Sequence, residues 1–409
     1  MRPVVLLTAA VGMALGCRDV GEVLTPSDGS PDDGAAGAGQ MPAGLMASDL
    51  SAGNAHACAV GGAPLYCWGD GSDGRLGLGD DLEDRLSPVL VDDAREWRDV
   101  SAGGQHTCGR TVDGEVLCWG DNRFGQLGTG DLLARHRPVV VDLPSAARQI
   151  ETKFGVTCAI LQDASLWCWG NNTEGQLGQD DAFLPAGEEA GVATPVRVLE
   201  ATDWLSVSPG QGHVCGIRAP GTLWCWGRNS TSELGLGADR PVQIRSPQQV
   251  GDGTDWKQVA AGLQHTCAVR ADGSAWCWGG ADHAQLGLGD MTMRAEPTQV
   301  GTARDHDSIA TTQFSTCSIR GLERALWCWG RNIEGQLGLG HTSGVGEFMH
   351  QLDPELAGSG FAAVSVGLFF ACALEADAQV ACTGANADGQ LGKGDTSRAS
   401  TFTKVSFSP

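Results

Sequence analysis

The side chains with the most chemistry to offer in this sequence are its cysteines, and their spacing is regular. Cys17 stands alone near the N-terminus. The other fourteen fall as seven pairs: Cys58 and Cys67, Cys108 and Cys118, Cys158 and Cys168, Cys215 and Cys225, Cys267 and Cys277, Cys317 and Cys328, Cys372 and Cys382. Thiols about ten residues apart can close a hairpin as a disulfide or join a metal site. A zinc site needs four ligands, whereas His-x-Cys lies here on an extended segment with no second close pair. The spacing therefore predicts one disulfide per pair. The register can be checked: if Cys108 faces Cys118, the loop centres on Val112-Asp113-Gly114. Glycine lands third, where a three-residue hairpin loop takes a left-handed residue, and Ala219-Pro220-Gly221 and Ala271-Asp272-Gly273 repeat the pattern. Each such bridge should stabilise its hairpin by about 2 to 3 kcal/mol in the chain-entropy picture.

Other reactive residues point away from catalysis. His56, His106, His213 and His265 share one place in a repeated pattern, which suits a structural bond to a neighbouring loop better than four copies of a general base. Trp68, Trp119, Trp169, Trp226, Trp278 and Trp329 recur in the same way and read as core residues. Asp80-Asp81 and Asp180-Asp181 lack the alternating ligands and terminal glutamate of a calcium loop, so they read as solvated charge. Neither a metal nor a cofactor is expected, and the protein is not expected to be an enzyme.

The elements that position these residues are seven copies of one unit. SAGGQHTCGRTVDGEVLCWGDNRFGQLGTGD and AAGLQHTCAVRADGSAWCWGGADHAQLGLGD share Ala-Gly, His-x-Cys, a turn, Cys-Trp-Gly and Leu-Gly, at a period of 50 to 57 residues between first cysteines. Each copy holds four short strand candidates: the His-x-Cys segment, the Cys-Trp-Gly segment, a Pro-x-x-Val segment such as Pro138 to Val141, and the stretch leading into the next Ser-Ala-Gly, such as Arg98 to Ser101. Four strands times seven, buried on both faces, predicts an all-β, seven-bladed β-propeller. Leu45 to Ser51 matches a strand before Ser-Ala-Gly and Thr401 to Phe407 matches a Pro-x-x-Val strand, so pairing of the N- and C-terminal strands is expected to close the ring.

Sixty glycines and 17 prolines in 409 residues exclude an all-helical chain. A net charge of −22 would repel phosphate backbones, which excludes nucleic acid as the expected partner. The long apolar run is confined to Val4 to Leu15, preceded by Arg2 and leading into Ala14-Leu15-Gly16-Cys17 at its end. That is the pattern of an export signal ending in a lipobox, with Cys17 as the lipidated N-terminus. Residues 1–16 are thus expected to be a lipoprotein signal peptide, 17–47 a Gly/Pro/Asp-rich tether and 48–409 the propeller. The expected location is the bacterial cell envelope, with the membrane touched only through the lipid. That oxidising compartment fits paired cysteines.

From about Asp49 to Pro409 the chain resembles the regulator of chromosome condensation repeat family. The likeness rests on Ser-Ala-Gly, His-x-Cys, Cys-Trp-Gly and a recurring Gln126-Leu127-Gly128, Gln176-Leu177-Gly178, Gln285-Leu286-Gly287, Gln336-Leu337-Gly338 and Gln390-Leu391-Gly392. Departures are Thr383 in place of the Cys-Trp-Gly tryptophan, and Val156, Ser315 and Phe370 in place of the His-x-Cys histidine. The resemblance implies a seven-bladed propeller. It also implies a choice of roles, since the fold serves a nuclear exchange factor for a small GTPase and a secreted bacterial inhibitor of β-lactamases. An exported acidic chain is nearer the second.

Function must then lie in the loops. From the Leu-Gly glycine to the strand proline is 10 residues in repeats two and five but 17 between Gly178 and Pro195. That insertion carries Phe183 and Leu184, and an irregular stretch in repeat six carries Phe348 and Met349. Loops at equivalent places emerge on one face, so these four residues are the expected partner-binding rim. The expected function is that of a monomeric protein-protein interaction module with an extracytoplasmic partner. The alternatives are an inhibitor of an extracytoplasmic enzyme and a glycan-active enzyme.

Overall fold

Each cysteine pair lies at the centre of a four-stranded antiparallel sheet. In the computed structural model, which describes residues 46–179, 190–343 and 350–406, the second blade shows how a sheet is built. His106–Thr111 pairs with Val116–Gly120, with Cys108 opposite Cys118. The hairpin turns through Gly114 at φ +84°, a left-handed conformation that glycine adopts without strain. Trp97–Ala102 adds on the inner side and Arg135–Val140 on the outer. All seven bridges join directly opposed residues, at Cα–Cα separations of 4.1 Å in six and 4.0 Å in the seventh.

Seven such sheets, each in simple sequence order from inner to outer strand, form the blades of an all-β propeller. Blade one comprises Asp49–Ala52, His56–Val60, Leu65–Gly69 and Arg85–Asp92. Blades two to six span 97–140, 147–197, 204–249, 256–299 and 306–358. Blade seven comprises Phe361–Val366, Phe370–Glu375, Val380–Gly384 and Ala399–Lys404.

The cores lie between blades rather than within them. Cys58, Val60, Leu65, Cys67 and Leu76 of blade one pack against Trp97, Val100, Leu117 and Trp119 of blade two, and each later interface repeats the arrangement. Burial on both faces explains why the central strands carry apolar neighbours instead of strict alternation.

Ring closure corrects the sequence reading. Blade one begins with its own inner strand and blade seven ends with its own outer strand, so the chain ends do not pair in one sheet. The stretch before each Ser-Ala-Gly opens a blade instead of finishing the previous one. Every blade is therefore complete, and closure falls to face packing. Phe370, Leu374, Cys382 and Leu391 of blade seven bury Leu50, Ala57 and Trp68 of blade one. The Ala52 N–H donates to Ser365 Oγ at 2.9 Å across the same interface. Cys17, the tether segment up to residue 45, and the rim residues Phe183, Leu184, Phe348 and Met349 lie outside the described residues.

Candidate functional site: the loop face and the channel

The recurring histidines bind the next blade. Their Nε2 atoms meet a threonine Oγ1: His56 with Thr107 at 2.8 Å, His106 with Thr157 at 2.9 Å, His213 with Thr266 at 2.8 Å and His265 with Thr316 at 3.0 Å. Each threonine donates its own proton to a backbone carbonyl, of Arg75, Gln126, Glu233 and Gln285 respectively. Nε2 is therefore the protonated nitrogen that donates to the hydroxyl. The neighbour is thus a strand residue, not the loop expected from sequence. Burial holds these imidazoles neutral, pushing His106 down to about 4 and His213 and His265 down to about 3.

Departures from the pattern come in matched sets. Val156 of blade three packs with Val214 and Phe370 with Ala57, and by repeat register Ser315 is matched with Ala371, so no threonine is left without its histidine. A second rule couples the same residue to the end of its own inner strand. Gly53, Gly103, Gly210, Gly262 and Gly367 lie against the rings of His56, His106, His213, His265 and Phe370, where a Cβ would collide with ring atoms. Lys153 and Thr312 occupy that place only where Val156 and Ser315 leave room.

The tryptophans are also structural. Trp119, Trp169, Trp226, Trp278 and Trp329 donate Nε1–H to carbonyls of the preceding blade at 2.9 to 3.0 Å, and Trp68 does so to Gln390 across the closure. Thr383, in the seventh tryptophan's place, donates to the Gly335 carbonyl at 2.9 Å, while Phe402 packs against Gly338 in the vacated space.

With those residues assigned to the scaffold, two features stand out among the described residues. The first is the set of loops between third and fourth strands, which share one face of the ring because the strands run alike in every blade. They are rigidly held. In blade two Asp131 accepts the Leu133 N–H at 2.9 Å and an Arg135 Nη2–H at 2.6 Å, which hold its carboxyl below the usual range. Asn122 Nδ2 donates to the carbonyls of Asp131 and Leu133 from beneath. Asp290 and Arg294 repeat the pair in blade five at 2.8 Å, and Asp81 with Arg85 in blade one. Loop glycines donate to the next blade's outer strand, as Gly130 to Ala193 at 2.9 Å and Gly394 to Leu86 at 2.9 Å. On these mounts Leu132, Leu133, Met291 and Met293 stand 58, 66, 51 and 50% exposed.

The second feature is the central channel, a cavity of about 240 Å³ walled by the inner strands. Its lining mixes hydroxyl and amide side chains with small apolar ones, and Glu151 and Lys153 are its charged side chains. Lys153 Nζ donates to the Thr311 carbonyl of blade six, and Gln149 Nε2 donates to Glu151 Oε1 at 3.1 Å. Burial raises Glu151 to about 7 and lowers Lys153 to about 8. Sequence reasoning missed this pair. The available signal was the repeat register, which puts Glu151 at a place held by Ser51, Ser101, Ser208 and Ser365, and Lys153 at a glycine's place. Among the described residues no three His, Cys, Asp or Glu side chains gather as a metal site.

A closed ring of disulfide-stapled blades, with rigid loops on one face, is the architecture of a propeller-type interaction module. Two models of the regulator of chromosome condensation (RCC1) repeat match the chain, one at residues 64–109, 113–158, 163–217 and 220–269, the other at 97–126, 148–176 and 256–285. The chain belongs to this family. It is 29% identical to the ultraviolet-B receptor UVR8 of Arabidopsis thaliana over 351 residues, 85% of this chain and 67% of the receptor. It is 37% identical to the probable E3 ubiquitin-protein ligase HERC3 of Homo sapiens over 345 residues, 81% of this chain but 32% of that protein. The chain thus spans about two thirds of the one relative and a third of the other. Among solved structures, yeast RCC1 (Prp20) bound to Kap60 superposes with a TM-score of 0.74 at 20% identity, covering 84% of each chain. Human WBSCR16 superposes at 0.72 and 20% identity, covering 84% of this chain and 94% of its own. Those two likenesses concern the fold.

Proposed function

We propose that this protein is a binding propeller of the bacterial cell envelope, anchored by lipid on Cys17, which engages an extracytoplasmic protein as a monomer through its third-to-fourth strand loops. The observation that carries the reading is the rigid presentation of exposed apolar side chains, Leu132, Leu133, Met291 and Met293, on the loop face. Apolar groups fixed before contact lose little entropy on binding, which suits them to anchor an interface. Phe183, Leu184, Phe348 and Met349 fall in the equivalent loops by sequence and are proposed as part of the same rim, although they lie outside the described residues. Seven disulfides support export, since such bridges persist in oxidising compartments. Prp20p of Saccharomyces cerevisiae, a structure of the same fold, is described with binding to Gsp1p and histones, which supports a protein partner in general. With a net charge of −22, this chain's partner is not expected to be a nucleic acid. A sharper form of the proposal is inhibition of an extracytoplasmic enzyme.

Cross-linking on intact cells with the full chain as bait tests the reading. Leu132→Ser with Met291→Ser should lose the captured protein at least tenfold while thermal unfolding is unchanged. Undiminished capture would remove the loop face from consideration. Cys17→Ser should move the protein from the membrane to the soluble fraction, and a mutant that stays with the membrane would remove the anchor.

A further inference from the structure

Blade three breaks the ring's own rules at the channel, and always on the channel side. At the place of Glu151, four other blades carry a serine whose Oγ accepts a backbone N–H from the next inner strand: Ser51 from Ala102 at 2.9 Å, Ser101 from Thr152 at 2.8 Å, Ser208 from Ala261 at 3.0 Å and Ser365 from Ala52 at 2.9 Å. The residue that would donate to Glu151 is Pro209, which has no N–H. Both halves of an inter-blade bond are therefore missing at one interface, and the Glu151 carboxyl keeps one hydrogen bond, from Gln149, with the Lys153 ammonium as a nearby opposite charge. Two other inner-strand carboxylates are committed elsewhere. Asp49 accepts the Val100 N–H at 2.9 Å, and Asp99 pairs with Arg110.

Lys153 compounds the departure. It replaces a channel glycine, a change that Val156 permits, and its Nζ reaches blade six. One of its three protons is used there, which leaves two to donate. The Thr311 hydroxyl is buried with no hydrogen-bond partner. Ser51, Ser208 and Ser365 each accept an N–H, so their hydroxyl protons are also free to point inward.

We propose that the central channel is a binding site for a small zwitterion of α-amino-acid type, with its ammonium on Glu151 and its carboxylate on Lys153 and the neighbouring hydroxyls. The chemistry selects that class. Glu151 and Lys153 attract each other without a direct ion pair, so a ligand carrying only an amine or only an acid completes the contacts of one and not of the other. A zwitterion satisfies both at once. The cavity of about 240 Å³ lies at the small end of ligand sites, which fits an amino acid better than a larger metabolite. This site is independent of the loop face.

Titration calorimetry on the full chain with glycine, serine and glutamine, against glycinamide and N-acetylglycine, tests it. Saturable binding by at least one zwitterion is expected, with both blocked forms at least tenfold weaker. Glu151→Gln and Lys153→Ala should each lower that affinity at least tenfold while the unfolding midpoint holds. Should Glu151→Gln disturb folding, Glu151→Ser supplies the residue of the other blades and should lose binding equally. No binding at millimolar concentration, equal binding by the blocked forms, or binding indifferent to both substitutions would each overturn the site.

Discussion

A residue-level rule governs the interfaces: histidine and threonine are kept together or dropped together. The reason is the cost of a buried polar group without a partner, about 1 to 3 kcal/mol, against near neutrality when both are replaced by apolar groups. Thr157→Val strands the Nε2–H of His106, which has 0% exposure, and should cost about 1 to 3 kcal/mol in urea unfolding. Adding His106→Val reproduces the Val156 and Val214 interface and should cost less than the sum of the two single changes, with a coupling of about 1 kcal/mol. Strict additivity would mean that the pair does not act as a unit. The sequence displayed the histidines as a repeated set, and their structural role followed from that repetition. Their partners were not legible because a threonine at the second position of a blade's second strand is an ordinary strand former, and only the assembled ring brings the two blades together.

At the scale of elements, the stapled hairpin carried most of the fold's legibility. Cysteine pairs and a third-position glycine fix a register within ten or so residues, which is local information. The grouping of strands into blades is not local, since an inner strand follows the outer strand of one repeat in sequence while pairing with the hairpin of the next. Hence Trp97–Ala102 read as the end of a blade and is the beginning of one. The channel pair was hidden for a related reason: Glu151 and Pro209 lie in different blades, and their shared meaning appears only when the rings of equivalent positions are laid side by side. Because each bridge lies inside a single hairpin, replacing Cys108 and Cys118 by alanine should cost about 2 to 3 kcal/mol and leave the other six bridges formed. Mass spectrometry without reduction checks the pairing. Bridges between blades in that variant would mean that the hairpins do not set the register.

For the whole molecule, the many buried imidazoles make stability depend on acidity. His106 and His306 titrate near 4 and His213 and His265 near 3, each because burial opposes the charged ring, and His56 is lowered well below its usual value for the same reason. In the unfolded chain all five titrate near 6.5. Between that value and about 4 the unfolded chain binds protons that the folded ring refuses, so stability falls as pH falls. Asp49 and Glu151 act with the opposite sign. Burial raises them to about 6 and about 7, so the folded ring holds their protons in a range where the unfolded chain has lost them, and their contribution grows on acidification. Five groups against two leave a net uptake of about three protons on unfolding, a slope of about 4 kcal/mol per pH unit at its steepest. Surface carboxylates held low by their loops, such as Asp395 at about 2, exchange protons below this window and do not blur it. Urea unfolding from pH 7 to pH 5 should therefore show a steep loss of stability, and His106→Val with Thr157→Val should flatten the slope by about one proton. A stability that stays level or rises as the solution is acidified would show that the imidazoles are not held neutral in the folded ring.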